Sequence, residues 1–189
     1  MADSVEDICS LLVKDEKLVA SCNGFLAAVA TKLATLYKVD GLVAAFTGNA
    51  NAIRGRFSNQ ISTVKPFVYI GTDPDKATEM ATAGHFVVGG LTSTEMTYVG
   101  RDKKTHTATM GHVVVVVPGG PSEPCHIKLA KKDSKGRPLE QPARGGYPYC
   151  YQGAAHEIYR FSERTQVDAV FPSLLLDKVV YAYVPLKKT

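Results

Sequence analysis

The sequence has few cysteines, no long hydrophobic run and only a small excess of positive charge, and each absence excludes a class of protein. Its four cysteines, Cys9, Cys22, Cys125 and Cys150, are widely and irregularly spaced, which fits neither a zinc-binding pattern nor a dense disulfide framework. No run reaches the roughly 18 apolar residues of a transmembrane helix, so no membrane insertion is expected. The net charge of +4 is far below the load typical of nucleic-acid-binding proteins, so no nucleic-acid partner is expected.

The N-terminal segment MADSVEDICSLLVKD is acidic and amphipathic. It lacks the basic region and the small-residue cleavage site of a secretory signal, so we expect the protein to be made in the cytoplasm and to leave, if it does, without a cleavable signal. The chain has 189 residues, of which 45% are hydrophobic and 21% charged. This length and composition predict a single globular domain over 1–189.

Helical patterns come first in the chain and strand patterns follow. Apolar spacing predicts a helix from Val5 to Lys14, and the segment CNGFLAAVATKLATLY predicts a buried helix from about Cys22 to Tyr37. A third, short helix is expected after the cap residue Asp73, ending at Gly84. Short Val- and Tyr-rich runs then alternate with turn residues, namely HFVVGGL, EMTYVG, GHVVVVV, YPYCYQGA and KVVYAYVP. This order predicts an α+β fold with N-terminal helices on an antiparallel sheet.

Two segments are predicted to be irregular. Residues 41–62 mix Gly, Asn and small side chains and favour a loop with one helical turn rather than a regular element. Residues 119–146 are rich in Pro, Gly, Lys and Arg and are expected to form a long surface excursion. That excursion is either a solvated loop or a surface for anionic groups, and the pattern alone leaves both open.

Cys22 is the cysteine with the strongest indication of reactivity. Free cysteines are often small buried core residues, and that interpretation also fits an Ala-rich helix. At the first turn of a helix, however, the backbone N–H groups stabilise a thiolate, and Gly24 leaves room for a substrate. A thiolate nucleophile also needs a base within hydrogen-bonding reach.

Five histidines are candidates for that base. His106, His126 and His156 lie in polar or Pro-rich stretches that favour solvated positions, and His85 opens a strand as a half-covered residue. His112 stands between Gly111 and five consecutive valines, at the start of a strand expected in the middle of the sheet. It is either a rigidly held general base or a core histidine bonded to a backbone carbonyl.

Gln152 is the candidate third residue. It is a polar side chain between Tyr151 and Gly153 in an otherwise packed run, and its amide is able to orient an imidazole. The alternative is a glutamine that simply faces water at a strand end.

The ordered strings SCNGFLAAVA, GNANAI, GHFVVGGL, GHVVVVV and YPYCYQGA resemble the type VI secretion amidase effectors, and most closely their first subfamily. These are small papain-like peptidoglycan amidases related to the NlpC superfamily. The resemblance covers about residues 5–185. It implies a papain-like NlpC-type fold in which Cys22 is the nucleophile, His112 the general base and acid, and Gln152 the residue that orients His112.

The resemblance also implies an activity: hydrolysis of peptidoglycan stem peptides, at the bond between γ-D-glutamate and meso-diaminopimelate. Two alternatives stay open, cleavage of the D-alanyl-diaminopimelate cross-link and a papain-like deamidase or acyltransferase with a substrate outside the wall. Arg54, Arg56 and the basic excursion suit a substrate that carries free carboxylates. This chemistry needs no cofactor and no metal ion, so none is expected.

The remaining implications concern partners and location. The family is delivered by a secretion machine into the periplasm of a target bacterium, and a cognate immunity protein occludes its cleft. The first subfamily ties its N-terminal helix to the C-terminus by a disulfide. Here Cys9 has no cysteine after Cys150 to pair with, so that disulfide is not expected.

Overall fold

The computed structural model describes residues 4–57, 67–100, 102–155, 160–161 and 163–186, which form a mixed α+β structure, as the sequence predicts. The helices are α1 (Val5–Leu12), α2 (Cys22–Tyr37), α3 (Leu42–Ala45), α4 (Ala50–Gly55), α5 (Pro74–Thr82) and α6 (Val167–Val170), with 3-10 turns at Leu18–Ala20 and Leu176–Lys178. The strands are β1 (Val68–Gly71), β2 (Phe86–Leu91), β3 (Thr97–Val99), β4 (Thr105–Thr107), β5 (His112–Val117), β6 (Cys125–Lys132), β7 (Pro138–Ala143), β8 (Tyr149–Tyr151), β9 (Thr165–Gln166) and β10 (Val180–Val184).

One antiparallel sheet contains six of these strands in the order β1-β10-β2-β5-β8-β9. Strand β5 lies inside it, between β2 and β8. Its valines point alternately to a cluster that includes α1, α2 and α4 and to an opposite cluster that includes α5. Because both faces of the sheet are covered, β5 is apolar along its whole length rather than at every second residue.

Helix α2 is the central helix of the first cluster. Its predicted bounds are confirmed, since it begins at Cys22 and ends at Tyr37, where Lys38 takes a left-handed conformation with φ of 50°. Five of its side chains are fully buried: Phe25, Leu26, Val29, Ala30 and Leu33. Burying a large apolar side chain contributes about 1.5–3 kcal/mol, so this packing fixes the helix, and Cys22 at its start, against the sheet.

Both segments expected to be irregular contain regular structure. Residues 41–57 contain two short helices, α3 and α4. Helix α4 begins after Asn49, whose side chain caps it by accepting a hydrogen bond from the N–H of Ala52 (3.0 Å). Residues 58–62 of the predicted loop lie outside the described residues. The excursion 119–146 contains the two-stranded hairpin β6–β7. Its turn is fixed by Asp133, whose carboxylate accepts bonds from the N–H groups of Lys135 (2.8 Å) and Arg137 (2.9 Å).

Strands β3 and β4 form a second small hairpin between β2 and β5. Across the described ranges, no helix is both long enough and apolar enough to cross a bilayer.

Candidate active site

Cys22 is the first residue of α2, and the residue before it explains why the helix begins there. Ser21 has an extended backbone, with φ of −152° and ψ of 145°, and its hydroxyl accepts a hydrogen bond from the N–H of Gly24 (3.1 Å). This is an N-cap, the arrangement that stops a helix from extending further towards the N-terminus. The thiol therefore lies beside the first-turn N–H groups of a helix, which have no acceptor within the helix itself.

The surroundings of Cys22 favour its thiolate. Burial by itself would raise the pKa of this half-buried thiol. The hydrogen bond from the side chain of His112, the charge of that ring, and the backbone N–H groups of Val113 and Asn23 together outweigh the burial and lower the pKa below its ordinary value. A lowered pKa increases the thiolate fraction near neutral pH, and the thiolate is the nucleophilic form.

His112 is the first residue of β5, as predicted, and lies across from Leu91 of β2. The buried ring of Phe171 meets the His112 ring edge to face, at 5.6 Å between centroids and 71° between planes. His112 is thus held by the sheet through its backbone and by an aromatic contact through its side chain. A general base held in this way loses little rotational freedom when it reacts.

Gln152 follows β8 directly and is buried, with 3% of its surface exposed, so it does not face water. Its Oε1 accepts a hydrogen bond from Nε2 of His112. The other ring nitrogen, Nδ1, is therefore the one that interacts with the sulfur of Cys22. The structure brings Cys22, His112 and Gln152 together in the order thiol, imidazole, amide.

Gly153 sets how closely Gln152 approaches the start of α2. A Cβ atom at Gly153 would collide with the backbone carbonyl of Ser21, and the N–H of Ala154 donates to the carbonyl oxygen of Val19 (2.8 Å). The chain after β8 is therefore pressed against the residues just before Cys22. Because a side chain at 153 would push the two segments apart, this is a position that requires glycine.

The string GNANAI links the nucleophile segment to the histidine segment. Asn23 donates from its side chain to the carbonyl of Gly48 (3.0 Å), which joins the residue after the nucleophile to this string. Asn51 accepts from the N–H of Ser93 (2.8 Å) and donates to the hydroxyl of the same residue (3.0 Å). Asn51 Oδ1 also occupies the space that a side chain at Gly111 would need. The string therefore holds Cys22 and His112 through the neighbours of each.

The other cysteines differ from Cys22 in their surroundings. Cys9 and Cys150 are fully buried, and desolvation raises the pKa of both thiols well above the ordinary value. Cys125 accepts a hydrogen bond from Nε2 of Gln166 (2.8 Å). All four cysteines are free thiols.

The other histidines lie away from this constellation or outside the described residues. His106 is on β4 rather than in a loop, where it bonds the carboxylate of Asp102 (3.0 Å) and stacks on Tyr98. His126 is exposed on β6, and His85 stacks on Tyr183. His156 lies outside the described residues.

Arg54 and Arg56, expected from the sequence to suit substrate carboxylates, are occupied by contacts within the protein. Arg54 is buried, donates from Nε to the carbonyl of Gly90 (3.1 Å) and forms an ion pair with Glu95 (2.7 Å). Arg56 donates to the carbonyls of Ala45 (2.9 Å) and Thr47 (2.7 Å). Arg54 therefore links α4 to the end of β2, whereas Arg56 braces the turn after α3 by donating to carbonyls at and just beyond the end of that short helix.

Sequence reasoning missed Gly153, Phe171 and the paired contacts of Asn51. The string GNANAI indicates that Asn51 is of interest but does not indicate its partner Ser93. The only sequence signal for Gly153 is that this glycine directly follows the candidate residue Gln152.

Within the described residues, no group of three or more His, Cys, Asp or Glu side chains is arranged to hold a metal ion. Comparison of the chain with protein-family models and with curated proteins gives no match.

Proposed function

We propose that this protein is a cysteine-dependent amidase with a papain-like, NlpC-type fold that hydrolyses peptide bonds in the stem peptides of bacterial peptidoglycan. The observation that carries the proposal is the contact chain from Cys22 through His112 to Gln152. A nucleophile at a helix start, a base at a strand start and an amide that orients the base are the parts that amide hydrolysis by a thiol needs.

In the acylation step, Cys22 is the nucleophile and His112 is the general acid. The Cys22 thiolate attacks the carbonyl carbon of the scissile amide, and the carbonyl oxygen becomes negatively charged. The N–H of Cys22 at the start of α2, together with a neighbouring polar group, stabilises that oxyanion. His112 in its protonated form gives its proton to the amide nitrogen, the C–N bond breaks, and the amine leaves with the acyl group held as a thioester on Cys22.

In the deacylation step, His112 acts as a general base instead of a general acid. His112, now neutral, takes a proton from a water molecule, and the resulting hydroxide attacks the thioester carbon. The C–S bond breaks, the carboxylic acid product leaves, and the thiolate and protonated imidazole are restored. Gln152 accepts from Nε2 throughout, which keeps Nδ1 towards the sulfur and the substrate.

The proposed substrate rests on the resemblance of SCNGF, GNANAI, GHVVVVV and YPYCYQG to the type VI secretion amidase effectors. By that resemblance the bond cleaved is γ-D-glutamyl-meso-diaminopimelate. The matched strings are in mutual contact in the structure, since Asn23 bonds Gly48 and Asn51 lies against Gly111. By the same resemblance the enzyme is exported by a secretion machine, acts in the periplasm of a target cell and is neutralised in the producing cell by an immunity protein.

Digestion of purified sacculi tests the proposal. Sacculi are incubated with the protein and with its Cys22→Ala variant, and the released fragments are identified by mass spectrometry. We expect the wild type to release fragments with a new γ-D-glutamate carboxylate and the variant, folded by circular dichroism, to release none. Fragments cut at the D-alanyl-diaminopimelate bond would replace the proposed specificity with cross-link cleavage. Intact sacculi, in the presence of a thiol that still reacts with iodoacetamide, would reject the wall substrate and favour a deamidase or acyltransferase.

A further inference from the structure

Most of the net positive charge of the chain falls in one stretch of the sequence. Between residues 123 and 144 the sequence has six Lys and Arg against three Asp and Glu, a net of +3 within a chain whose total is +4. This stretch contains the hairpin β6–β7. The acidic side chain at its tip, Asp133, is already bonded to Arg137 (2.9 Å) and to the backbone of the turn.

Three hairpin lysines are available to a ligand. Lys128, Lys132 and Lys135 are exposed, and none of them forms an ion pair with another described residue. Lys128 and Lys132 are about 13 Å apart along the strand and Lys135 follows at the turn, so the three charges form a row along the hairpin. Glu140 lies opposite Lys128 in the strand register.

A polar cleft of about 300 Å³ lies at the base of the same hairpin. Its lining consists of residues 125–128 of β6, Tyr149 and residues 163–166, which include the acidic Glu163. The volume is at the lower end of the ~300–1,000 Å³ range of small-ligand sites. Arg164 is fixed at this cleft, because it stacks over Tyr149 at 4.3 Å and pairs with Glu6 of α1 (3.0 Å).

Two residues that line the cleft have unused hydrogen-bonding capacity. Thr165 and Gln166 are buried, with 1% and 2% of their surfaces exposed. Thr165 Oγ1 and Gln166 Oε1 have no hydrogen-bond partner among the described residues. A buried polar atom without a partner is unfavourable, and such a cost is tolerated where a ligand completes the bond. Each oxygen is closed off from solvent in this structure, so it accepts a hydrogen bond from an amide N–H of a ligand once its side chain turns towards the cleft.

We propose that the hairpin β6–β7 and the cleft at its base bind a carboxylate-bearing peptide, a second segment of the same wall polymer that the active site cleaves. Amide N–H groups of the peptide bond Thr165 and Gln166, and its carboxylates meet Lys128 and the lysines further along the ribbon. Tyr149 precedes Gln152 by three residues, about 10 Å along an extended strand, so the cleft lies close to the segment that carries the active-site glutamine. The identity of the peptide as wall material rests on the proposed function, whereas the recognition of a carboxylate-bearing peptide does not.

A binding assay separates this site from catalysis. All variants are made in the Cys22→Ala background, and the bound fraction is measured by sedimentation with purified sacculi at several salt concentrations. The hairpin variant replaces three lysines with glutamine, Lys128→Gln, Lys132→Gln and Lys135→Gln. The control carries the same charge change at exposed lysines outside the hairpin and cleft, Lys14→Gln, Lys32→Gln and Lys38→Gln. We expect the hairpin variant to bind about tenfold more weakly at low salt, while the control binds like the parent. Equal binding by the two triple variants would overturn the proposal.

Two further arms test the chemistry of the ligand. Sacculi whose free carboxylates have been converted to amides should lose the difference between hairpin and control variants, and a persisting difference would show that carboxylates are not what the lysines meet. Thr165→Val removes the unpartnered hydroxyl without changing the side-chain shape, so we expect a stable fold and severalfold weaker binding. Unchanged binding by Thr165→Val would remove the cleft from the proposal.

The proposed function can fail independently. With Cys22 intact, the hairpin variant should cleave small soluble muropeptides at the wild-type rate and sacculi more slowly. If the wild type cleaves neither substrate while binding to sacculi still depends on the hairpin lysines, the proposed amidase activity is rejected and the proposed binding site is not. Cleavage of both at wild-type rates by the hairpin variant would reject the binding site alone.

Discussion

Gln152 accepts the hydrogen bond from Nε2 of His112, and this bond determines which ring nitrogen faces Cys22. In the neutral ring, Nε2 carries the proton and Nδ1 has the lone pair that takes the thiol proton. In the charged ring, the same bond keeps the Nδ1 proton directed at the thiolate. The Gln152 amide thus contacts the imidazole rather than the reacting atoms, and its role is to position that imidazole.

Replacing Gln152 should lower turnover more than it affects substrate binding. Gln152→Ala frees the imidazole to rotate, and general acid–base catalysis is worth about 10²–10⁴-fold in rate, so we expect kcat to fall by about tenfold or more with little change in KM. Gln152→Glu keeps an acceptor at the same place and should retain more activity than the alanine variant. Equal kcat for the wild type and Gln152→Ala would assign the orientation of His112 to Phe171 and the sheet alone.

The lowered pKa of Cys22 predicts reactivity at unusually low pH. A free cysteine has a pKa of about 8.5, and burial alone would raise it; the hydrogen bond and charge of His112 reverse that direction here. The rate of alkylation by iodoacetamide should therefore rise through its midpoint below the pH at which a free thiol does. His112→Ala removes the main lowering contributions and should move the midpoint upward. Labelling is followed by mass spectrometry on the peptide that contains residue 22, because Cys125 is also a partly buried free thiol, and Cys22→Ser should abolish labelling of that peptide. A midpoint that stays in place in His112→Ala would mean that the helix start alone stabilises the thiolate.

The parts of the fold that depend on local sequence are the ones that the sequence predicts. The bounds of α2 follow from helix propensity and from the cap at Ser21, and His112 at the start of β5 follows from Gly111 and the valine run. Strands β1 and β9 are not predicted, because each is short and has no clear alternation of apolar and polar residues.

Contacts between distant segments account for what the sequence does not predict. Arg54 appears available in the sequence, but its partner Glu95 comes from another segment, and the pair forms only when α4 packs on β2. The approach of Gly153 to Ser21 is likewise a product of packing. For the same reason, the residue pattern offers Cys22, His112 and Gln152 only as candidates, each with a core or solvated alternative, and the resemblance makes their grouping an expectation.

Gly153 should tolerate a methyl group poorly. Gly153→Ala places a Cβ against the carbonyl of Ser21, and overpacking of this kind costs about 1–3 kcal/mol. We expect a lower free energy of unfolding in urea and, because Gln152 is displaced with its neighbour, a lower kcat. Gly55→Ala is the matched control, since it lies in α4 with no atom near the added methyl; alanine is the better helix former by about 1 kcal/mol, so that variant should be as stable as the wild type or more so. Similar unfolding curves for Gly153→Ala and Gly55→Ala would contradict the close approach.

Asp168 should make the protein less stable as the pH rises from acid to neutral. It is buried, its Oδ2 accepts a bond from the N–H of Arg144, and Oδ1 has no partner among the described residues. Desolvation raises its pKa despite the bonds from the backbone N–H groups of Arg144, Asp168 and Gly145.

Because the folded pKa lies above the unfolded value, the stability linked to Asp168 is fully present below the unfolded pKa of about 3.9 and is lost as the pH rises through the folded pKa. Asp168→Asn keeps the shape and an acceptor but carries no charge, so it should unfold at a higher urea concentration than the wild type at pH 7. At a pH below about 3.9, where the wild-type carboxyl is protonated in both states, the difference should disappear. Urea unfolding curves of both proteins at the two pH values measure this difference in stability. A variant that is less stable than the wild type at pH 7 would show that the charged carboxylate, through its bonds to the base of the hairpin, stabilises the fold more than its burial opposes it.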